Sequence, residues 1–557
     1  MMAVQACAHR GNSSVYRENT LPAIRSAIAA GADFVEIDVR VTSDGEVIVL
    51  HDETLDRLWG LPLAVRDVTL EQVRALGTAD ERPPLLSEVL ELFDGAPSTL
   101  LIDMDEPEPA EPAYRVVASV LAGSSGSAAS GSGASGPASG ASASRTAVAW
   151  CGDIDGMRTI RRLDAGARIW MPWDRPTAPT AADIGDLAPE RINTEFLTMT
   201  RELAEQIHAL GYAITVWTVD DELTMRWAQQ IGVDTVTTNQ LGRLQRVTSS
   251  AGTGDASAVG VPADAAAAEH DAVDIDEALV VARGLAQWAI EFSSSADPGQ
   301  IDTKKDAADL VTEVDVALER HVREVVGAHF PSHDFVGEEL GGGARPGVPC
   351  WYLDPVDGTA NFANRIPWNA FSLALAVDDR PLVAVVADPW RGDLFEAIAG
   401  GGARLNGSPL RLPESSDDAD AAGTAGASDP LAGRIVSTEL ANQVPWPGML
   451  ELLERLGERF CTLRVMGSGT MTIVGIAAGR GAGAVIGRFG AVDHVAAALI
   501  VHEAGGVVLD SAGEPNLFPA SGGIMAAASG ASAALYALWQ ESIDRANVSA
   551  HASVPLP

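Results

Sequence analysis

Over roughly its first 250 residues the chain repeats one pattern, a short apolar run followed by a stretch of helical periodicity. Residues 4–8, 34–39, 99–104, 147–150, 168–171, 191–193, 213–217 and 235–237 are the short runs. Residues 21–30, 85–93, 154–163, 200–210 and 222–231 carry the helical patterns between them. Strands joined through helices run parallel, because each crossover returns the chain to the same end of the sheet. Eight such strands over about 250 residues predict a (β/α)8 TIM barrel, with its chemistry where the strands end.

The alternation stops at residues 249–268, an Ala/Gly-rich stretch with scattered Asp that reads as a linker. Residues 123–144 and 414–433 have similar composition and read as surface insertions. Beyond the linker, helical patterns at 272–293, 314–330 and 495–504 mix with hairpin-like runs at 369–377, 382–387 and 394–399. That mixture predicts a second, layered α/β domain with an antiparallel component. A chain of 557 residues exceeds what one core usually serves, which agrees with two domains. The expected division is a barrel at 1–248, a linker at 249–270, a layered domain at 271–546 and a tail at 547–557. The two halves share no internal repeat.

The formal charge of −38 argues against nucleic acid and anionic membrane as partners. A phosphate ligand would meet the same repulsion, so its site must be offset locally by metal ions or a few basic residues. No apolar run is long enough for a membrane span. The first ten residues lack the features of a secretory signal. Four scattered cysteines, Cys7, Cys151, Cys350 and Cys461, form neither a disulfide framework nor a metal-ligand spacing. A cytoplasmic, reduced protein is expected.

His9-Arg10-Gly11 follows the first strand, and Glu36-Ile37-Asp38 sets two carboxylates on one face of the second. His51-Asp52 ends a further apolar run. Two histidines, an arginine and two carboxylates at one barrel mouth suit phosphodiester cleavage. The carboxylates hold a divalent metal, arginine and metal neutralise phosphate, and the histidines move protons. With Glu18-Asn19-Thr20, Thr42-x-Asp44-Gly45, Trp217-Thr218-Val219-Asp220 and Thr237-Thr238-Asn239, this order resembles the glycerophosphodiester phosphodiesterase family. The resemblance implies that His9 and His51 are the acid/base pair, that Arg10 binds phosphate, and that Glu36 and Asp38 bind Mg2+ or Ca2+. The family offers Glu-x-Lys on the third strand. Here the residues are Asp103-Met104-Asp105, so Asp103 is a shorter candidate ligand and an acid replaces the lysine. Asn19 and Thr20 also read as caps of the helix that starts near Leu21.

In the second half, Asp354-Pro355-Val356-Asp357-Gly358-Thr359 follows the apolar Trp351-Tyr352-Leu353. Gly337-Glu338-Glu339 ends another short run, and Asp493 begins a helical one. Carboxylates without His or Cys suit Mg2+, and two such ions activate water and stabilise a leaving oxygen. With Asp309-Leu310-Val311-Thr312-x-x-Asp315, the 330–339 segment and Glu503-Ala504-Gly505-Gly506, these motifs resemble the inositol monophosphatase family. That resemblance implies an αβαβα sugar-phosphatase-like fold and two or three Mg2+ ions. Glu338, Asp354, Asp357, Asp493 and the Val356 carbonyl would bind the metal. Glu338 and Thr359 would orient the attacking water, with Asp315 in support. Gly358 and Thr359 would donate backbone N–H groups to phosphate, and Ser468 would open a helix near the substrate. Lys304 reads equally as a site residue and as a surface charge. Val492 stands where the family often has Trp. No carboxylate lies within 479–492, where inositol-selective members place one, so the monoester is left open.

Together these expectations describe a bifunctional hydrolase of small phosphodiesters and phosphomonoesters, with the two steps in sequence. The alternative is an active phosphatase carrying the barrel as a binding or oligomerising module. A homodimer is left open.

Overall fold

The computed structural model describes residues 4–78, 80–126, 147–250, 273–296, 301–303, 310–413, 429–441 and 443–552. The insertion at 123–144 from residue 127 on, most of the linker, most of residues 414–433, and Lys304 and Asp309 lie outside the described residues. The chain divides into two compact units, residues 1–255 and 256–557.

The N-terminal unit is the predicted barrel. Its strands are Gln5–Ala8, Phe34–Val41, Thr99–Met104, Val148–Gly152, Arg168–Trp173, Arg191–Glu195, Ala213–Trp217 and Thr235–Thr238. Each pairs in parallel with the next, and the first closes the ring by pairing with both the last and the second. Glu36 is in register with Leu101, and Asp38 with Asp103, so two carboxylates stand side by side on adjacent strands. Asp103 is in turn in register with Cys151. The outer helices form where apolar residues recur at helical spacing. In Leu21–Ala29 the buried face is Leu21, Ala23, Ile24 and Ala27. In Ile154–Leu163 it is Gly156, Met157 and Ile160, with Asp153 capping the start through the N–H groups of Asp155 and Gly156.

Three features differ from the expectation. Residues 54–74 leave the barrel as a small hairpin, Thr54–Leu55 with Leu61–Ala64, and short helices packed around buried Leu55, Val65, Val68 and Val73. A strand at Val47–Val49 pairs antiparallel with the second barrel strand. Thr20 occupies the N-cap position without a side-chain cap, because its hydroxyl donates to the Arg17 carbonyl instead. Asn19 is buried, sits at φ 55° and is spent on Asp38, so it is no helix cap.

The C-terminal unit stacks its layers as helices, sheet, helices, sheet, helices. The first sheet has eight strands, centred on Cys350–Asp357, Ala370–Val377 and Arg380–Asp388. The second has five, centred on Ile435–Glu439, Gly483–Ile486 and Ile524–Ala527. Gly469–Ala477 and Ala491–Glu503 are apolar nearly all round, and they form one core with both sheets. Helices Met449–Glu458 and Ser529–Ala552 cover the outer face of the second sheet through Leu452, Leu535 and Trp539. The last helix runs through residues 547–552, which were expected as tail. The helix bearing Asp493 starts at Ala491, so Asp493 lies in its first turn rather than at its start.

Candidate functional sites

At the barrel mouth the ends of several strands enclose a cavity of about 700 Å3, lined among others by His9, Arg10, Glu36, Asp38, His51 and Asp103. The positive φ of Arg10, 56°, turns the chain sharply after the first strand. Its backbone N–H donates to Glu36 Oε2 at 2.7 Å, and its guanidinium meets Glu18 at 2.9 Å and Asp38 at 3.3 Å. The other oxygen of Glu36, Oε1, is buried with no hydrogen-bond partner. Burial first, then Asp38 and Asp103, hold the Glu36 carboxyl well above the usual range. Burial, Asp38 and Asp105 push Asp103 up to about 7. Acids that raise one another in this way are a donor set short of positive charge.

Hydrogen bonds fix both histidines. His9 Nδ1 lies 2.8 Å from Asn239 Oδ1, which also accepts from Ser13, while the Asn239 amide nitrogen donates to Asp220. The oxygen therefore faces His9, which carries its proton on Nδ1 and leaves Nε2 as the acceptor. Burial and the adjacent Arg10 lower the pKa of His9, which favours the neutral ring. His51 Nδ1 lies 2.9 Å from Asp52, and Arg57 grips Asp52 at 2.7 and 2.8 Å. Arg57 hydrogen bonds and burial, opposed in sign, set the Asp52 carboxyl at about 2. Arg57 also bonds Glu18 at 2.7 Å, so alternating charges run from Arg10 through Glu18, Arg57 and Asp52 to His51. Arg40 bonds Asp105 at 2.8 Å and the His51 carbonyl at 2.6 Å, which gives the acid in the lysine position a cationic partner.

The second site begins with a break in a ladder. The pairing of Cys350–Asp357 with Ala370–Val377 shifts register between Asp354 and Asp357. Pro355 has no N–H to give, and the Val356 N–H donates to Asp354 Oδ1 at 3.0 Å instead of to the sheet. Asp354 is buried, and burial, Glu338, Asp357 and Asp493 raise its carboxyl far above the usual range. Burial and Asp493 push Asp357 up to about 6, against the pull of Ser468. Thr359 Oγ1 lies 3.2 Å from Asp315 Oδ1 and 3.1 Å from the Val356 carbonyl. Gly358 adopts φ 94° ahead of Thr359, a left-handed turn that suits glycine. Ser468 is buried, and its hydroxyl donates to Asp357 Oδ2 at 2.6 Å while capping the helix through Met471. That hydrogen bond positions the Asp357 carboxylate.

Among the described residues no group of three or more His, Cys, Asp and Glu side chains forms a ready-made cage for a metal ion. The donor chemistry fits one nevertheless. Each site gathers carboxylates whose mutual repulsion a divalent cation relieves, and the first leaves a buried carboxylate oxygen unpartnered.

Residues 9–243 match the glycerophosphoryl diester phosphodiesterase family and residues 274–544 the inositol monophosphatase family. The chain belongs to the inositol monophosphatase family, and residues 9–243 form a glycerophosphoryl diester phosphodiesterase domain ahead of it. Its phosphatase domain is 35% identical over 218 residues to inositol monophosphatase 2 of Solanum lycopersicum, covering 38% of this chain and 77% of that protein. It is 34% identical over 231 residues to the Nus factor SuhB of Pasteurella multocida (strain Pm70), covering 41% and 80%. Among solved structures, an Oleispira antarctica phosphodiesterase in complex with sn-glycerol-3-phosphate is 19% identical, with a TM-score of 0.38, covering 44% of this chain and 97% of that one.

Several residues that shape the phosphatase site escaped the sequence reading. Glu319 is buried and accepts the N–H groups of Glu339 and Leu340, which fixes the turn beside Glu338. Glu439 accepts the N–H groups of Met466 and Gly467 and the Thr472 hydroxyl, which fixes the turn leading to Ser468. His494 takes a hydrogen bond from the Gly490 N–H on Nδ1, and burial lowers it to about 4. In the phosphodiesterase domain Arg40 and Arg57 were likewise missed. Each is a polar residue inside an ordinary-looking segment, visible only through long-range pairing.

The raised carboxyls predict how the metal-free protein responds to pH. The folded chain holds protons on Asp103 and Asp357 up to about 7 and about 6, whereas the unfolded chain releases them near its ordinary value of about 4. Their contribution to stability is therefore present at low pH and lost as pH rises through that window. The melting temperature in chelator should fall between about pH 4 and pH 7, and Mg2+ should restore it. Asp103→Asn should make the fall shallower. A flat or rising profile in chelator contradicts this.

Proposed function

We propose that the chain is a bifunctional phosphoester hydrolase. The barrel cleaves glycerophosphodiesters to an alcohol and a phosphomonoester. The C-terminal domain releases phosphate from a small monoester such as an inositol phosphate. The observation that carries the first assignment is the convergence of His9, Arg10, Glu36, Asp38, His51 and Asp103 on one cavity. Arg10 binds a phosphate oxygen. Neutral His9 accepts the proton of the attacking water on Nε2, and His51, oriented by Asp52, gives a proton to the departing alcohol oxygen. Glu36, Asp38 and Asp103 would hold a divalent ion, Mg2+ or Ca2+, which polarises the phosphoryl group when bound.

In the second domain Glu338, Asp354, Asp357, Asp493 and the Val356 carbonyl would hold Mg2+. The inositol monophosphatase family depends on that ion. Thr359, with Asp315 behind it, and Glu338 orient the attacking water. The Gly358 and Thr359 N–H groups bind phosphate.

The two reactions are in sequence, because the first product is the substrate class of the second. Both activities on one chain give the second domain a supply of its substrate class wherever the first one works. The full chain given a glycerophosphodiester with Mg2+ should release inorganic phosphate after a lag. The Asp354→Asn protein should accumulate the monoester instead. A wild-type protein that stops at the monoester with every diester tried would sink the coupled pathway.

A further inference from the structure

The barrel cavity is larger than a phosphate and its metal require, and its far wall has a composition of its own. In the closed ring of eight strands the fifth lies across from the first, and the fourth is its neighbour on the side of the third. The catalytic groups come from strands one to three, whereas Asp153 and Arg158 follow strand four, and Trp173, Asp174 and Arg175 end strand five. Both cations are held by acids: Arg175 by Asp183 at 2.6 Å, and Arg158 by Asp155 at 2.8 Å. The Arg175 guanidinium also lies 4.0 Å from the centre of the Trp173 ring, whose N–H is anchored on the Thr177 carbonyl. Asp153 spends Oδ1 on two backbone N–H groups of its helix. Trp217, at the end of strand seven, lines the same cavity with 42% of its surface exposed.

We propose that this wall is a subsite for a neutral, hydroxyl-rich alcohol, of the cyclic polyol class, esterified to the scissile phosphate. The proposal rests on the diesterase reading above and names the alcohol that site takes. Fixed guanidiniums donate to hydroxyl oxygens, and carboxylates accept from hydroxyl protons, so a polyol satisfies both kinds of group at once. A quaternary ammonium would be set against Arg158 and Arg175. A second phosphate would be set against Asp153, Asp174 and Asp183. Either arrangement leaves like charges facing one another across a confined space. The exposed Trp217 ring offers an apolar face for the C–H edge of a ring alcohol.

The test measures kcat/KM of the full chain with a divalent metal for three diesters. Glycerophosphoinositol is the polyol probe, glycerophosphocholine the cationic probe, and bis(p-nitrophenyl) phosphate a reference without a polar head group. The polyol ester should be preferred over the choline ester by about tenfold or more, the scale of charge-assisted hydrogen bonds to one substrate. Asp174→Asn and Arg175→Gln should each lower the ratio of polyol ester to reference about tenfold. Equal or better use of the choline ester overturns the proposal. So does a fall in both variants that is the same for polyol ester and reference. Turnover of the reference in either case leaves the diesterase reading standing, whereas no turnover of any diester removes that reading and the subsite with it.

Discussion

Asp354→Asn should lower phosphate release from a small alcohol monoester by about 1,000-fold or more, the scale of several kcal/mol of lost charge stabilisation. Asn keeps the shape of the side chain and an oxygen for the Val356 N–H, so the bulge between Asp354 and Asp357 should persist. What it loses is the charge surrounded by Glu338, Asp357 and Asp493. That charge is unfavourable without metal, since burial and three neighbouring acids all oppose it. Two consequences separate a metal-binding role from plain misfolding. The metal-free variant should melt at a higher temperature than the metal-free wild type, because the repulsion is relieved. The stabilisation gained on adding Mg2+ should shrink. Full activity would refute the site, and lost activity with an undiminished Mg2+ shift would move the metal elsewhere.

The fold was legible because its pattern is local. Short apolar runs between helical ones marked all eight barrel strands, and parallel pairing followed from the connections. Ends were less secure, because they depend on pairing. The fourth strand reaches Gly152 rather than residue 150, where a ladder with Met104 continues beyond the apolar run. The helix Ala110–Gly126 and the hairpin excursion at 54–64 were missed. They are held by packing rather than by strong periodicity. Motif residues were readable where the chemistry needs them close in sequence, as in Asp354 to Thr359. Supporting groups were not, since Arg57 reaches Glu18 across 39 positions and Glu439 reaches Gly467 across 28. The hydrogen bond from Ser468 to Asp357 spans 111 positions and was equally invisible in the sequence.

His51→Ala and His9→Ala should each cut glycerophosphodiester turnover by about 100-fold or more, the usual scale for a lost general acid or base, while monoester hydrolysis survives. The two should differ in their pH profiles. With Asn239 holding Nδ1 and burial disfavouring the charged ring, His9 stays neutral below the usual imidazole value of 6.5. A base must be deprotonated to act, so wild-type kcat/KM should rise with pH and reach its plateau at a lower pH than an ordinary histidine allows. His9→Ala should abolish that rising limb. His51→Ala should keep it, because the role proposed for His51 is on the leaving oxygen. An alcohol that needs no proton on departure, such as p-nitrophenol, should then largely rescue His51→Ala and leave His9→Ala impaired. Equal rescue of both variants would show that the two rings do not divide the work in this way, and unchanged rates in both would remove them from the reaction.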